Sequence, residues 1–313
     1  MKVVSYLSCL PKKSIDTRKA DILTNYAKGV TNANLGDQAV LHSQSTLLDA
    51  DVGIIVGYVH ENSKTSPHLL FRKNIIEHQQ RRNKRTLLAD SNLFLYNNTD
   101  NPHYYLRYSF DGVFPNTGIY CDSTTDPSRW QTISKDMNLS LKDYRKNGHH
   151  ILLCLQRNGG WSMGGIDVMD WACKTIDEIR KHSDREIVIR AHPGDKGSSK
   201  YLGYKNLIDK IRLLKGIRVS KPGTTLVQDL HKCWAVVNFN SSPTVGAAIE
   251  GYPIFVTDPT RSQCREIANT DLSKIESPIL FDRQPWIERI SMFHWSFEQV
   301  VSGECWKHMR KYV

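Results

Sequence analysis

Apolar positions along this chain come in short blocks separated by polar, helix-periodic stretches. Residues 52–59 (VGIIVGYV), 85–89 (RTLLA), 150–155, 186–190, 234–237 and 254–257 are near-continuous apolar runs. That pattern belongs to parallel strands buried on both faces. Residues 3–9 read as a first strand and 217–219 as a short one. Between the runs lie stretches of helical period. Residues 67–82 turn Leu69, Leu70, Ile75 and Ile76 inward, and 168–182, 204–214, 225–231 and 244–251 follow the same logic. Residues 37–48, after the turn NANLGD, are expected as a helix, and 95–130 as an aromatic-rich loop region. The polar segment 143–149 (DYRKNGH) reads as a linker. Strand–helix alternation predicts parallel sheets. Two such series predict an α/β chain of two doubly wound, Rossmann-like domains, 1–145 and 146–313, with a cleft between them. The C-terminal helix is expected to pack back on the first domain.

Charge changes this picture by suggesting a ligand class. The 313 residues carry a net charge of +10, which favours an anionic substrate or partner. Residues 1–150 hold 19 Lys and Arg against 14 Asp and Glu, so the excess is shared between the halves. The seven cysteines are scattered without a CxxC pair, the usage of reduced, cytoplasmic core thiols. No apolar run approaches the length of a membrane span. A soluble, cytoplasmic, monomeric protein with no membrane partner is therefore expected.

Candidate chemistry sits in turns after the second-half strands, where open α/β sheets bind ligands. After 150–155 come Gln156, Arg157, Asn158, Gly159 and Gly160: a fork of donors and backbone N–H groups suited to phosphate. After 186–190 come His192 and Lys196. Thr224 and Thr225 read first as helix caps. The sharpest stretch is NFNSSPTVGAAIEGYPIFVTD. There Ser241 and Ser242 open a small-residue helix, Glu250 lies near its other end, and Gly-Tyr-Pro returns the chain to a strand. Free N–H groups at a helix start suit a diphosphate, and Glu250 suits sugar hydroxyls.

This strand, Ser-Ser-Pro, helix, Glu, Gly-x-Pro order resembles the donor-binding half of GT-B glycosyltransferases. The resemblance implies that Glu250 holds the nucleotide's ribose. The segment KRTLLADSNLFLY further resembles the strand-then-Asp segment of T-even-type bacteriophage glycosyltransferases that modify hydroxymethylcytosine in DNA. That likeness implies Asp90 as general base and Arg157 as a phosphate ligand. The chain departs from the family at Ala247, where an Arg is usual; His192 or Lys196 would compensate. Asp111 is the second choice of base, ahead of Asp37, His60 and Glu61. Arg81, Arg82 and Arg85, with the interleaved Arg107, Tyr108 and Phe110, are the candidate DNA contacts.

The resulting expectation is an inverting, viral transferase. It would move glucose or a pentose such as arabinose from a UDP-sugar to 5-hydroxymethylcytosine in double-stranded DNA. No metal site or required cofactor is expected, since Asp49-Ala50-Asp51 precedes a strand rather than following one; Mg or Mn assistance to the leaving diphosphate stays open. Two alternatives stand beside it. One is a capsule-polysaccharide type transferase acting on a glycan, with a UDP or CMP donor. The other is a non-catalytic DNA-binding protein on a GT-B scaffold.

Overall fold

The computed structural model describes residues 1–11, 18–59, 66–96, 101, 103–157, 161–192 and 216–313. The chain divides into two compact units. The first comprises Met1–Asn92, Asp100–Asp136 and Glu288–Val313; the second comprises Leu93–Thr99 and Met137–Ile287. The main division thus follows Asp136 rather than residue 145, and residues from Glu288 onward belong with the first unit.

In the first unit β1 (Lys2–Tyr6), β2 (Gln38–His42), β3 (Val52–Val56) and β4 (Arg85–Asp90) are parallel, and β5 (Leu106–Phe110) runs antiparallel beside β4. With β11 (His294–Trp295) the sheet order is β11-β5-β4-β3-β1-β2. The central strands are apolar because both faces are covered; Val4, Val52, Ile54, Ile55 and Leu87 are fully buried.

The expected helix at 37–48 is instead the edge strand β2, and the helix between β1 and β2 is α1 (Arg18–Asn32). As an edge strand β2 is half exposed along its length, so it lacks the apolar run that marks its neighbours. α1 buries Ile22, Leu23, Tyr26, Gly29 and Val30, a single helical face. That face packs on α8 (Phe297–Ser302) so closely that a Cβ on Gly29 would run into the Val300 carbonyl. α9 (Glu304–Met309) follows across Gly303, whose φ of 90° is one that L side chains rarely adopt. Residues 95–130 also hold more structure than expected: β5, and the start of α3 (Pro127–Asp136).

The second unit has an all-parallel sheet, β10-β9-β6-β7-β8, built from β6 (His150–Cys154), β7 (Glu186–Arg190), β8 (Ile217–Val219), β9 (Cys233–Asn238) and β10 (Ile254–Val256). α4 (Val168–Arg180) buries Trp171, Ala172, Ile176 and Ile179 in the core formed with Ile151, Leu153, Ile187 and Val237. Asp167 caps it, accepting from the Met169 and Asp170 N–H groups. α5 (Leu226–Leu230) starts with a capping box between Thr225 and Gln228, so Thr225 is a cap. The expected helix at 204–214 lies outside the described residues. α6 (Pro243–Ile249) and α7 (Gln284–Ser291) follow, and α7 carries the chain back to the first unit.

Candidate functional site

Strand order locates the place to look in each unit. In the second sheet the order reverses between β6 and β9, and the crevice beyond such a switch point is where doubly wound sheets take ligands. The residues leaving those two strands meet there. The Asn240 N–H donates to Gln156 Oε1 (3.0 Å), and Gln156 Nε2 donates to Ser162 Oγ (2.8 Å). Asn240 Nδ2 donates to the Ser162 carbonyl (3.0 Å) and to Asp258 Oδ2 (2.9 Å). Asp258 follows β10 and also accepts from the Thr260 N–H. Asn238, fully buried at the end of β9, donates to the Ser241 carbonyl (2.7 Å) and Oγ (3.0 Å). Its own Oδ1 has no partner among the described residues. Three strand ends are thus tied into one polar, rigid edge.

Arg157 leaves β6 as an exposed side chain, and His192 follows β7 half-buried. Asn158, Gly159, Gly160 and Lys196 lie outside the described residues. Ser241 and Ser242 stand at the turn into α6; Ser242 is exposed and makes no cap hydrogen bond. Glu250 stands apart from them. α6 runs back along the sheet for seven residues, so its C-terminal Glu250 lies away from the strand ends that hold Ser241. There Glu250 is buried and ion-paired with Lys142 (2.5 Å), and it accepts from the Tyr96 hydroxyl (3.0 Å). Arg145 Nε binds its carbonyl, and the backbone of 142–145 pairs with Ile249 and Gly251. Burial and the Glu250 charge together raise the Tyr96 pKa well above that of a free phenol. For Glu250 to hold a ribose, its carboxylate would have to accept from the sugar hydroxyls beside Lys142 and Tyr96.

In the first unit Asp90 ends β4 at the carboxyl edge of the parallel strands. Its Oδ1 accepts from the Ser91 N–H (2.7 Å), and its Oδ2 is paired with Arg107 (3.0 Å). Arg107 is buried and also donates to the carbonyls of Ser91 and Val113, each at 2.8 Å. Burial lowers the Arg107 pKa and the Asp90 charge counters it. Arg107 is therefore a partner of Asp90 and not a DNA contact. Tyr108 and Phe110 are fully buried core residues, with Tyr108 against Tyr26 (centroids 5.4 Å apart).

Asp111 is excluded from the same site by topology. β5 is antiparallel to β4, so Asp111 lies at the amino edge, the opposite end of the sheet from Asp90. There it binds Arg85 (2.8 Å) and the Thr86 N–H (2.9 Å). The rest of the basic cluster shares that edge. Arg82 pairs with Asp49, Lys84 with Asp51 (2.6 Å), and Arg81 with Glu77 (3.8 Å). Asp49 and Asp51 are thus ion-pair partners.

Further residues stand on the edge where Asp90 ends β4. Arg72, one turn into α2 (Pro67–Arg81), donates from Nε to the Cys9 carbonyl (2.8 Å) and lies within electrostatic reach of Asp90. On the same edge a cavity of about 420 Å³ opens among Arg18, Asp21, Asn25, His103, Tyr104, Phe297 and Glu298. Tyr104 carries the Arg18 guanidinium 4.8 Å from its ring centre and packs edge-on to Phe297. It holds a φ of 51°, uncommon for an aromatic residue. Among the described residues no three His, Cys, Asp or Glu side chains stand together as a metal site, and no helix is long and apolar enough to cross a membrane.

No protein-family model matches the sequence, and no curated protein matches it. Solved structures do. KpsC of Thermosulfurimonas dismutans, a beta Kdo 2,4 transferase, superposes with a TM-score of 0.51 at 12% identity, covering 88% of this chain and 89% of its own. The UDP-GlcNAc 2-epimerase of Methanocaldococcus jannaschii gives a TM-score of 0.36 at 12% identity over the full length of both chains, too low to bear on the fold. With the two doubly wound units, the first likeness shows the GT-B fold. It does not extend to the phage DNA glycosyltransferases, whose resemblance rests on the segments quoted above.

Proposed function

We propose that the chain is a nucleotide-sugar-dependent glycosyltransferase acting on a glycan. The observation that carries this reading is the rigid polar edge at the β6/β9 switch point, within a fold used for sugar transfer. The second unit would hold the donor, a UDP-sugar. Asn240, Gln156 and Ser241 would fix its orientation, and Arg157 with His192 would stabilise the negative charge that develops on the leaving diphosphate. The first unit would supply Asp90, which takes the proton of the acceptor hydroxyl as its oxygen bonds to the anomeric carbon and the UDP oxygen leaves, with inversion. Arg107 would hold the Asp90 carboxylate in place.

Transfer to hydroxymethylcytosine in DNA remains the competing reading. It keeps Asp90 as base but loses its electrostatic support. Arg81, Arg82 and Arg85 are paired with acids at the opposite edge of the sheet from Asp90. Mass spectrometry after incubation with UDP- and CMP-sugars, over a panel of oligosaccharides and hydroxymethylcytosine DNA, tests both. A hexose or pentose mass gain on an oligosaccharide supports the proposal. A gain on DNA alone overturns the glycan assignment, and no gain with any pair overturns the enzymatic one.

A further inference from the structure

The first sheet has a switch point of its own. Its parallel strands run β4-β3-β1-β2, so the order reverses between β1 and β3. The residues that follow those two strands are the 3-10 turn Leu7–Cys9 and Gly57. Arg72 reaches both. Its Nε–H is fixed on the Cys9 carbonyl, and a Cβ on Gly57 would come within 3.0 Å of its Nη1. Gly57 has a φ of 79° and no side chain to cover the guanidinium.

The charge balance at this point is uneven. Arg72 is half-buried, yet it has no carboxylate at ion-pair distance among the described residues. Asp90, the acid within its electrostatic reach, already gives one oxygen to Arg107 and the other to the Ser91 N–H. Asp90 is thus ion-paired with Arg107 and only within electrostatic reach of Arg72. The thiol of Cys9, pushed up by burial, stays neutral beside them. His68, one helical turn before Arg72, is held below the ordinary imidazole value by burial and then by the charges of Arg72 and Lys19. A partly desolvated guanidinium with both Nη groups left over is costly alone and well matched to a planar carboxylate or a phosphate.

We propose that the β1/β3 switch point binds an anionic group, a carboxylate or phosphate carried on the acceptor sugar, with Arg72 as its principal counter-charge. The anion site stands on this geometry; its assignment to the acceptor rests on the glycosyl-transfer reading. Bound there, the anion would place its sugar on the edge where Asp90 ends β4, and it would relieve the positive field on His68.

His68 reports on the site. Its imidazole resonance, assigned by its loss in His68→Gln, is followed by NMR across pH. Inorganic phosphate, glucuronate and a sugar phosphate are titrated against chloride at matched ionic strength. The expected result is a saturable shift with a raised His68 pKa. Affinity should be at least tenfold weaker in Arg72→Gln and intermediate in Arg72→Lys, which keeps the charge without the fork. Absence of a saturable shift in the unsubstituted protein overturns the site, as does an unchanged response in Arg72→Gln or, if that variant does not fold, in Arg72→Lys. Glucuronate and sugar phosphate compared together name the anion. A duplex oligonucleotide that saturates the shift more tightly than any sugar overturns the acceptor-sugar assignment. Anion binding without sugar transfer in the mass-spectrometric assay leaves the site standing and removes the enzymatic reading. Transfer indifferent to Arg72→Gln overturns the assignment of that anion to the acceptor sugar.

Discussion

Both edges of the first sheet carry arginines and treat them differently. At the amino edge Arg82, Lys84 and Arg85 each meet their own carboxylate. Asp37, just before β2, collects the Met1 ammonium, Arg310 and the Trp306 indole. At the carboxyl edge Asp90 pairs with Arg107, and Arg72 has no carboxylate at ion-pair distance among the described residues. Matched charges hold a fold together and ask for nothing further; an unmatched one invites a ligand. Net charge, read from the sequence, could not separate these cases, because matching depends on which strand ends the topology brings together.

The largest expected effect lies at the carboxyl edge. Asp90→Asn keeps an oxygen for Arg107 but removes the base, so sugar transfer should fall about 10²–10⁴-fold with donor affinity unchanged. Single-turnover kinetics alongside donor titration would check this, and loss of donor binding together with transfer would assign Asp90 a structural role instead.

At the amino edge the expected effect is on stability. Burial opposes ionisation of Asp37, but hydrogen bonds from Arg310, the amino terminus and Trp306 outweigh it and lower its pKa to about 2. A carboxylate whose folded pKa is depressed stabilises fully above its ordinary range, and that contribution is lost as pH falls toward 2. Asp37→Asn should lower the melting temperature at neutral pH by roughly 2–4 °C. It should also flatten the acid limb of melting temperature against pH, which differential scanning fluorimetry resolves. The smallest effect belongs to the basic cluster. Arg81→Glu or Arg82→Glu should change stability by less than about 1 kcal/mol and transfer by less than twofold. A fall in duplex-DNA affinity with a shallower salt dependence would reverse the contrast between the edges.

Much of the second unit is legible because its strands are parallel and the central β6, β7 and β9 are buried through their middles, so they appear as apolar runs. The first unit is harder to read for local reasons. β2 is a half-exposed edge strand, and β5 contains the buried Arg107, whose charge disguises a core position. The Ile22, Leu23, Tyr26 and Val30 spacing of α1 was the signal available for that helix. Asp90 could be singled out as a polar residue ending an apolar strand, but its pairing with Arg107 depends on an antiparallel register that no local pattern encodes. Glu250 was legible as an acid on a small-residue helix. Its partners Lys142 and Tyr96 are more than a hundred residues away in sequence.

The return of Glu288–Val313 to the first unit sets an order of assembly on the ribosome. Residues 137–287 can close their sheet as soon as they emerge. α1 has been synthesised long before that, yet the face carrying Gly29 has no cover until Val300 appears, and Asp37 waits for Trp306 and Arg310. The later-made unit is thus the first able to finish. Pulse proteolysis of stalled nascent chains would show it as protection appearing in 137–287 before 1–136.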